Sequence, residues 1–187
     1  MNSILTKAVM GVAVTGLGLI ALGSALHMAG IRINTSPSIP VGIYWMTQRP
    51  IQVGEYVIFC PPNRAIFQDA LTRGYIHAGF CPGGLGYMMK KVVAARGDTV
   101  SFTPNGVQVN GEHLPYSKPQ KMDGSGRVLS GWRVNHVALN ESELLLMTDQ
   151  SVLSFDARYF GPINKNQVKA VVIPLMTCIY NPYLERN

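Results

Sequence analysis

Residues 8–26, AVMGVAVTGLGLIALGSAL, carry no charge, and after Lys7 the next ionisable group is His27. At about 1.5 Å of rise per residue, a helix from Ala8 to about residue 30 spans the ~30 Å hydrocarbon core of a bilayer. Glycines weaken such a helix in water. In lipid the helix persists, because leaving it would strand backbone groups without partners. A cleavable secretory signal is the rival reading, with small residues at Gly23 and Ala25 suiting cleavage. Both readings send the rest of the chain out of the cytoplasm. Lys7 and the α-amino group favour a cytoplasmic amino terminus. The organisation expected is a cytoplasmic tail over 1–7, a transmembrane anchor over 8–30 and an extracytoplasmic domain over 31–187. The protein would cross the inner membrane once and place that domain in the periplasm.

The chain beyond the anchor is long enough for about one domain with its own core. Among the 187 residues the formal net charge is +6, without a run of four Lys/Arg or a basic stripe interleaved with aromatics. Nucleic acid is therefore not expected as a partner. His27, His77, His113 and His136 are scattered, and neither CxxC nor HxxxH occurs. No metal and no cofactor are expected. Cys60 and Cys81 bracket a single insertion and are the pair expected to bridge in an oxidising compartment. Closing a loop of about 20 residues would contribute ~3 kcal/mol. Cys178, beside a terminal apolar run, reads as a buried free thiol.

Beyond the anchor the pattern is mostly β. Val53–Phe59 alternates around a buried face, and Lys91–Ala95 is short and β-branched. Thr99–Thr103, a turn at Pro104-Asn105-Gly106 and Val107–Asn110 predict a hairpin, with a second turn at Asn110-Gly111. Glu143–Thr148 and Val168–Pro174 complete a β-rich barrel or folded sheet. One helix is predicted over Arg64–Arg73, with Asn63 as its N-cap, Phe67 and Leu71 on one face and Gly74 at its end. It falls between Cys60 and Cys81, so the insertion reads as a small stapled subdomain. Residues 117–131 lack apolar periodicity and read as an exposed loop.

Three segments carry candidate chemistry. In Asn34–Tyr44, NTSPSIPVGIY, Ser36 and Ser38 would share one side of an extended chain kept out of a helix by Pro37 and Pro40. Such a stretch alone also suits a linker. In Tyr87–Asp98, YMMKKVVAARGD, Lys90 and Lys91 must face opposite sides of a strand. A lysine on the apolar side acquires a lowered pKa and can accept the proton of a serine hydroxyl. Two surface lysines guarding a strand edge are the plainer reading. In Asp149–Gly161, DQSVLSFDARYFG, Asp156 and Arg158 form either a turn-locking ion pair or a support for a catalytic base.

Taken together, these segments resemble the boxes of the type I signal peptidase family of Ser/Lys peptidases. Ser36-Pro37-Ser38-Ile39-Pro40 resembles the serine box that follows the membrane helix, and Gly54–Phe59 is similar to the family's Gly-Asp-x-Val-x-Phe strand. Lys90–Asp98 resembles the lysine box, and Ser154–Gly161 the Ser-x-Asp-Ser-Arg-Tyr-Trp-Gly box. Ser38-Ile39-Pro40-Val41-Gly42-Ile43-Tyr44 is most similar to a conjugative-transfer branch of the family. Ile39 in place of the usual Met, Arg96 before Gly97-Asp98, and Thr148-Asp149-Gln150 in place of Gly-Asp-Asn depart from the general pattern.

The resemblance implies a β-rich fold with an N-terminal transmembrane helix, and a serine peptidase processing exported precursors. Its substrate would be a pilin precursor bound as an extended segment, cleaved and then either released by water or cyclised. Ser38 would be the nucleophile, Lys90 the general base within hydrogen-bond reach of it, and Asp156 a supporting residue of the site. Ser36 and the Ser38 N–H would hold the oxyanion, with Ser154 and Arg158 in support. The lipid bilayer and a conjugation or secretion machinery are the other partners implied. A general signal peptidase and a non-catalytic, membrane-tethered assembly protein are the alternatives.

Overall fold

A computed structural model describes residues Ser3–Cys178 of the chain, which divides into two units, Met1–Arg32 and Ile33–Asn187. The first unit is built on helix α1, Ser3–Met28. Within it, Leu5–Met28 is long and apolar enough to cross a membrane. Residues 1 and 2 of the tail expected over 1–7 lie outside the described residues.

Twelve strands are named among the described residues. They are β1 (Ile31–Asn34), β2 (Gly42–Thr47), β3 (Tyr56–Phe59), β4 (Ala78–Cys81), β5 (Met88–Ala94) and β6 (Thr99–Thr103), followed by β7 (Gly106–Val109), β8 (Glu112–His113), β9 (Val137–Ala138), β10 (Glu143–Met147), β11 (Ile163–Asn164) and β12 (Val168–Thr177). Two short helices interrupt them, α2 (Ala65–Thr72) and α3 (Ala157–Phe160). One sheet has the order β1-β2-β12-β3-β5-β10-β11 and the other β8-β7-β6-β9. The fold is β-rich and antiparallel, with one apolar N-terminal helix and a small helical insertion.

Local chemistry explains most of these elements. The β7–β8 connection is Asn110-Gly111, both at positive φ, the two-residue turn that suits a twisted hairpin. Gly42 lies where β2 meets β12, and a Cβ there would sit 2.1 Å from the Met176 carbonyl oxygen. Only glycine allows that pairing. One face of the larger sheet, with Val57, Phe59, Val92 and Ala94, packs against Phe67 of α2, Phe160 of α3 and Val100 and Val107 of the smaller sheet. Full burial of each such ring contributes about 2–3 kcal/mol. On the other face Ile58, Ala170 and Val172 pack with Ile39 and Tyr44.

Cys60 and Cys81 are joined by a disulfide with 5.4 Å between their Cα atoms. Several local expectations need correction. The strand expected over 53–59 begins at Tyr56, because Val53 and Gly54 turn the chain before it. The helix cap is Arg64, which makes no side-chain capping bond. Asn63 instead accepts a hydrogen bond from Gln68 Nε2. Cys178 is free but exposed, since β12 leaves the core after Val172 and is exposed from Pro174 onward.

Candidate active site

The site starts with a turn that the sequence does not announce. The segment around Ser36 and Ser38 is a turn rather than the extended chain expected, and Asn34 is the template on which it is wound. The Asn34 side chain is almost fully buried and donates from Nδ2 to the carbonyls of Ser36 (2.8 Å), Ile39 (3.0 Å) and Pro40 (3.1 Å). Its Oδ1 accepts the Ser36 N–H at 3.2 Å. Tyr44 adds a 2.6 Å bond from its hydroxyl to the Pro40 carbonyl. A proline cannot donate a backbone hydrogen bond, so the prolines leave these carbonyls to side chains.

The turn is also tied to the end of β10. Thr148 Oγ1 donates to the Ser38 carbonyl at 2.7 Å, and Gln150 Nε2 donates to the Pro37 carbonyl at 3.0 Å. Ser38 is thereby presented as a buried residue, while Ser36 and Pro37 stay exposed. Ser36 Oγ donates to Ser38 Oγ at 3.0 Å, and the Ser38 N–H donates back to Ser36 Oγ at 3.2 Å. The two groups expected to hold an oxyanion thus face one another beside the Ser38 hydroxyl.

Lys90 lies on the inner face of β5 between Met88 and Val92, in a strand where buried and partly buried residues alternate. It is 3% exposed. Burial pulls its pKa from 10.5 down to about 8, with Asp156 opposing the shift and Arg158 assisting it. Its ammonium donates to Ser154 Oγ at 2.8 Å, and Ser154 Oγ donates to Ser38 Oγ at 3.1 Å. Ser38 and Lys90, expected to meet directly, are joined here through the Ser154 hydroxyl. That chain of bonds holds the amine, a proton acceptor once neutral, one hydroxyl away from the Ser38 oxygen.

Asp156 and Arg158 are both buried and form a two-pronged pair, Nε to Oδ1 at 2.7 Å and Nη2 to Oδ2 at 2.8 Å. A buried pair needs further hydrogen bonds to be tolerated. Arg158 Nη1 supplies them to the carbonyls of Lys118 and Val152, and Asp156 Oδ2 accepts the Thr148 N–H at 3.2 Å. Asp156 therefore reaches Ser38 through Thr148, and Lys90 through its field. Asn34 and Thr148 hold the Ser38 turn in place, a part that sequence reasoning passed over. The available signal was a buried-type amide opening a Ser/Pro turn, and a hydroxyl ending an apolar strand.

β5 is also open where it matters. β10 pairs with it only at Lys91, Val92 and Ala94. Among the described residues, therefore, no strand pairs with Met88–Lys90 on that edge.

Comparison with known proteins places the chain among relatives. The family described as "Signal peptidase, peptidase S26" matches residues 4–176. The Escherichia coli "Plasmid transfer protein TraF" is 50% identical over 177 residues, covering 95% of this chain and 99% of that protein. "Conjugal transfer protein TraF" of Agrobacterium tumefaciens (strain 15955) is 35% identical over 164 residues, covering 84% and 88%. Among solved structures, a signal peptidase I from Enterococcus faecalis V583 has 18% identity and a TM-score of 0.40, covering 68% of this chain and 100% of that one.

Proposed function

This chain belongs to the peptidase S26 family of signal peptidases, and on that premise we propose that it is a membrane-anchored serine endopeptidase maturing an exported precursor in conjugation. The observation that carries the reading is the buried Lys90 ammonium, bonded to Ser154, which is bonded to Ser38. With Lys90 neutral, Ser38 Oγ attacks the scissile carbonyl carbon, and the hydroxyl proton passes to the amine directly or through Ser154. The Ser36 hydroxyl and the Ser38 N–H turn to the oxyanion as charge develops there, each worth about 3 kcal/mol. Lys90 then protonates the leaving amine as the C–N bond breaks, leaving an ester on Ser38. Water releases a carboxylic acid. An amine at the substrate's own amino terminus would instead release a cyclic amide.

The open edge at Met88–Lys90 would take the precursor as an added strand, so that main-chain hydrogen bonds align its carbonyl with Ser38. Fewer than ten residues separate the end of α1 from Ser38, which suits a substrate that is itself anchored in the bilayer. The Cys60–Cys81 bridge suits an oxidising periplasm. The similarity to plasmid transfer proteins supports a substrate within a conjugation system, and a pilin precursor is the one proposed over secretory preproteins at large.

The test is incubation of the full-length protein in detergent with candidate pilin precursors, read by intact mass. The expected result is a Ser38-linked acyl intermediate and a shortened product, lighter by one further water if the ends are joined. A protein that cleaves none of them and takes no label from a serine-directed acylating probe is an assembly protein on a peptidase fold, and the proposal fails.

A further inference from the structure

A cavity of about 270 Å³ opens on the Ser36, Ser38 and Ser154 hydroxyls. Its remaining walls are largely apolar, among them Tyr75, Met122, Leu129, Leu153, Phe155 and Tyr159. An engineered apolar cavity of about 150 Å³ already holds a benzene ring, so this one has room for a leucine or phenylalanine side chain. Met122 is 59% and Leu153 78% exposed at its rim. Apolar side chains grouped around a concave surface mark a place that something apolar covers.

One wall is preformed. Residues 121–129 fold back on themselves through the Met122–Val128 bridge and the Leu129 N–H to Lys121 carbonyl bond. The tip is closed by Asp123, which accepts from the N–H groups of Ser125 and Arg127, from Arg127 Nε and from the Tyr75 hydroxyl. Arg127 stands 5.5 Å over the Tyr75 ring and donates to the Arg73 carbonyl, while Arg73 donates to the Val128 carbonyl. Arg73 and Tyr75 belong to the disulfide-closed insertion. The insertion therefore braces the hairpin.

We propose that this cavity is a side-chain subsite for one bulky apolar residue of the substrate beside the scissile bond, with the hairpin 121–129 as its braced wall. It rests on the peptidase reading above. Because the cavity shares Ser38 and Ser154 with the chain of bonds from Lys90, its occupant lies within a residue or two of the carbonyl under attack.

The experiment uses the full-length protein in detergent and a set of precursor peptides with Ala, Leu or Phe placed in turn at each position flanking the cleaved bond. At one position Leu or Phe should raise kcat/KM at least about tenfold over Ala, the usual size of such a preference in an apolar pocket. Leu129→Trp, which fills the cavity, should bring that ratio towards one. Met122→Trp, at a more exposed position with less risk to folding, should do the same. Labelling of Ser38 by a small acylating probe is followed alongside. Labelling with no preference for a bulky residue, or a preference that neither tryptophan alters, overturns the subsite and leaves the peptidase standing. Absence of both labelling and cleavage overturns the two together.

Discussion

Lys90 and Lys91 are neighbours on one strand and carry the same functional group, but the two faces of β5 give them different chemistry. Lys90 points into the core between Met88 and Val92 and has one hydroxyl, that of Ser154, to solvate its ammonium. Lys91 points outward, 3.0 Å from the Asp149 carboxylate and 5.8 Å from the centre of the Tyr56 ring, with its side chain 32% exposed. Burial moves the first lysine to about pH 8, while the second keeps a carboxylate and water within reach. A strand sorts identical residues by parity. Desolvation then lowers the pKa of the inner one towards a pH where proteins work.

The largest effects should come from breaking the inner half of that contrast. Lys90→Arg should lower kcat/KM in precursor cleavage about a thousandfold, since a guanidinium does not give up its proton and a positioned base is worth about that much. Lys90→Met should be equally inactive but more stable. The sign comes from linkage. Below about pH 8 the lysine is protonated in both folded and unfolded chains, and the folded state bears the full cost of burying it. Between about pH 8 and 10.5 only the unfolded chain keeps the proton, so wild-type stability rises with pH across that window. Urea titrations should show Lys90→Met more stable by about 3 kcal/mol at pH 6, with the advantage fading towards pH 10.5. A variant less stable at pH 6 would mean that the ammonium is well solvated where it lies.

The parity of the two lysines was legible in the sequence because the run YMMKKVVA places apolar residues on both sides of a two-residue period. The hairpin at 99–110 was legible for the same reason, with turn residues at fixed offsets. The serine turn was not. Prolines bar a helix, but they do not say that Asn34 will gather three carbonyls, which depends on where β2 and β10 bring Tyr44 and Thr148. The route from Lys90 to Ser38 through Ser154 likewise joins positions 64 and 116 residues apart. Such long-range closure leaves no local pattern to read.

Asp156 and Asp149 extend the comparison, since each carboxylate faces the lysine of one side. Asp156→Ala would leave the Arg158 guanidinium buried with carbonyls alone, and should lower stability by about 3–5 kcal/mol. Activity should fall at temperatures where the variant is still folded, because Thr148 loses the acceptor of its N–H and with it the hold on Ser38. Asp156→Asn separates charge from position. Asp156 favours the charged form of Lys90, so removing its charge should move the alkaline rise of kcat/KM to lower pH than the wild-type value of about 8. A rise that moves to higher pH would reverse the assigned sign and sink the coupling.

The smallest effect belongs to the outer face, and its smallness makes it informative. Lys91→Ala removes a partly exposed ion pair, worth at most about 1 kcal/mol, and a cation–ring contact of similar size. Asp149 Oδ2 keeps the 2.9 Å hydrogen bond from the Tyr56 hydroxyl. Burial, Asp156 and Arg158 account for the shift at Lys90, and Lys91 is not among its causes. The variant should therefore lose about 2 kcal/mol or less in urea and keep kcat/KM within about threefold. Its pH profile should rise through the same point near 8. The decisive reading is the midpoint rather than the rate, since a rate can fall through a slight tilt of β5 whereas the midpoint follows the group that titrates. A midpoint that moves with Lys91→Ala, together with cleavage surviving in Lys90→Met, would exchange the two faces. The base would then stand one residue further along the strand, on the side where Tyr56 and Asp149 wait.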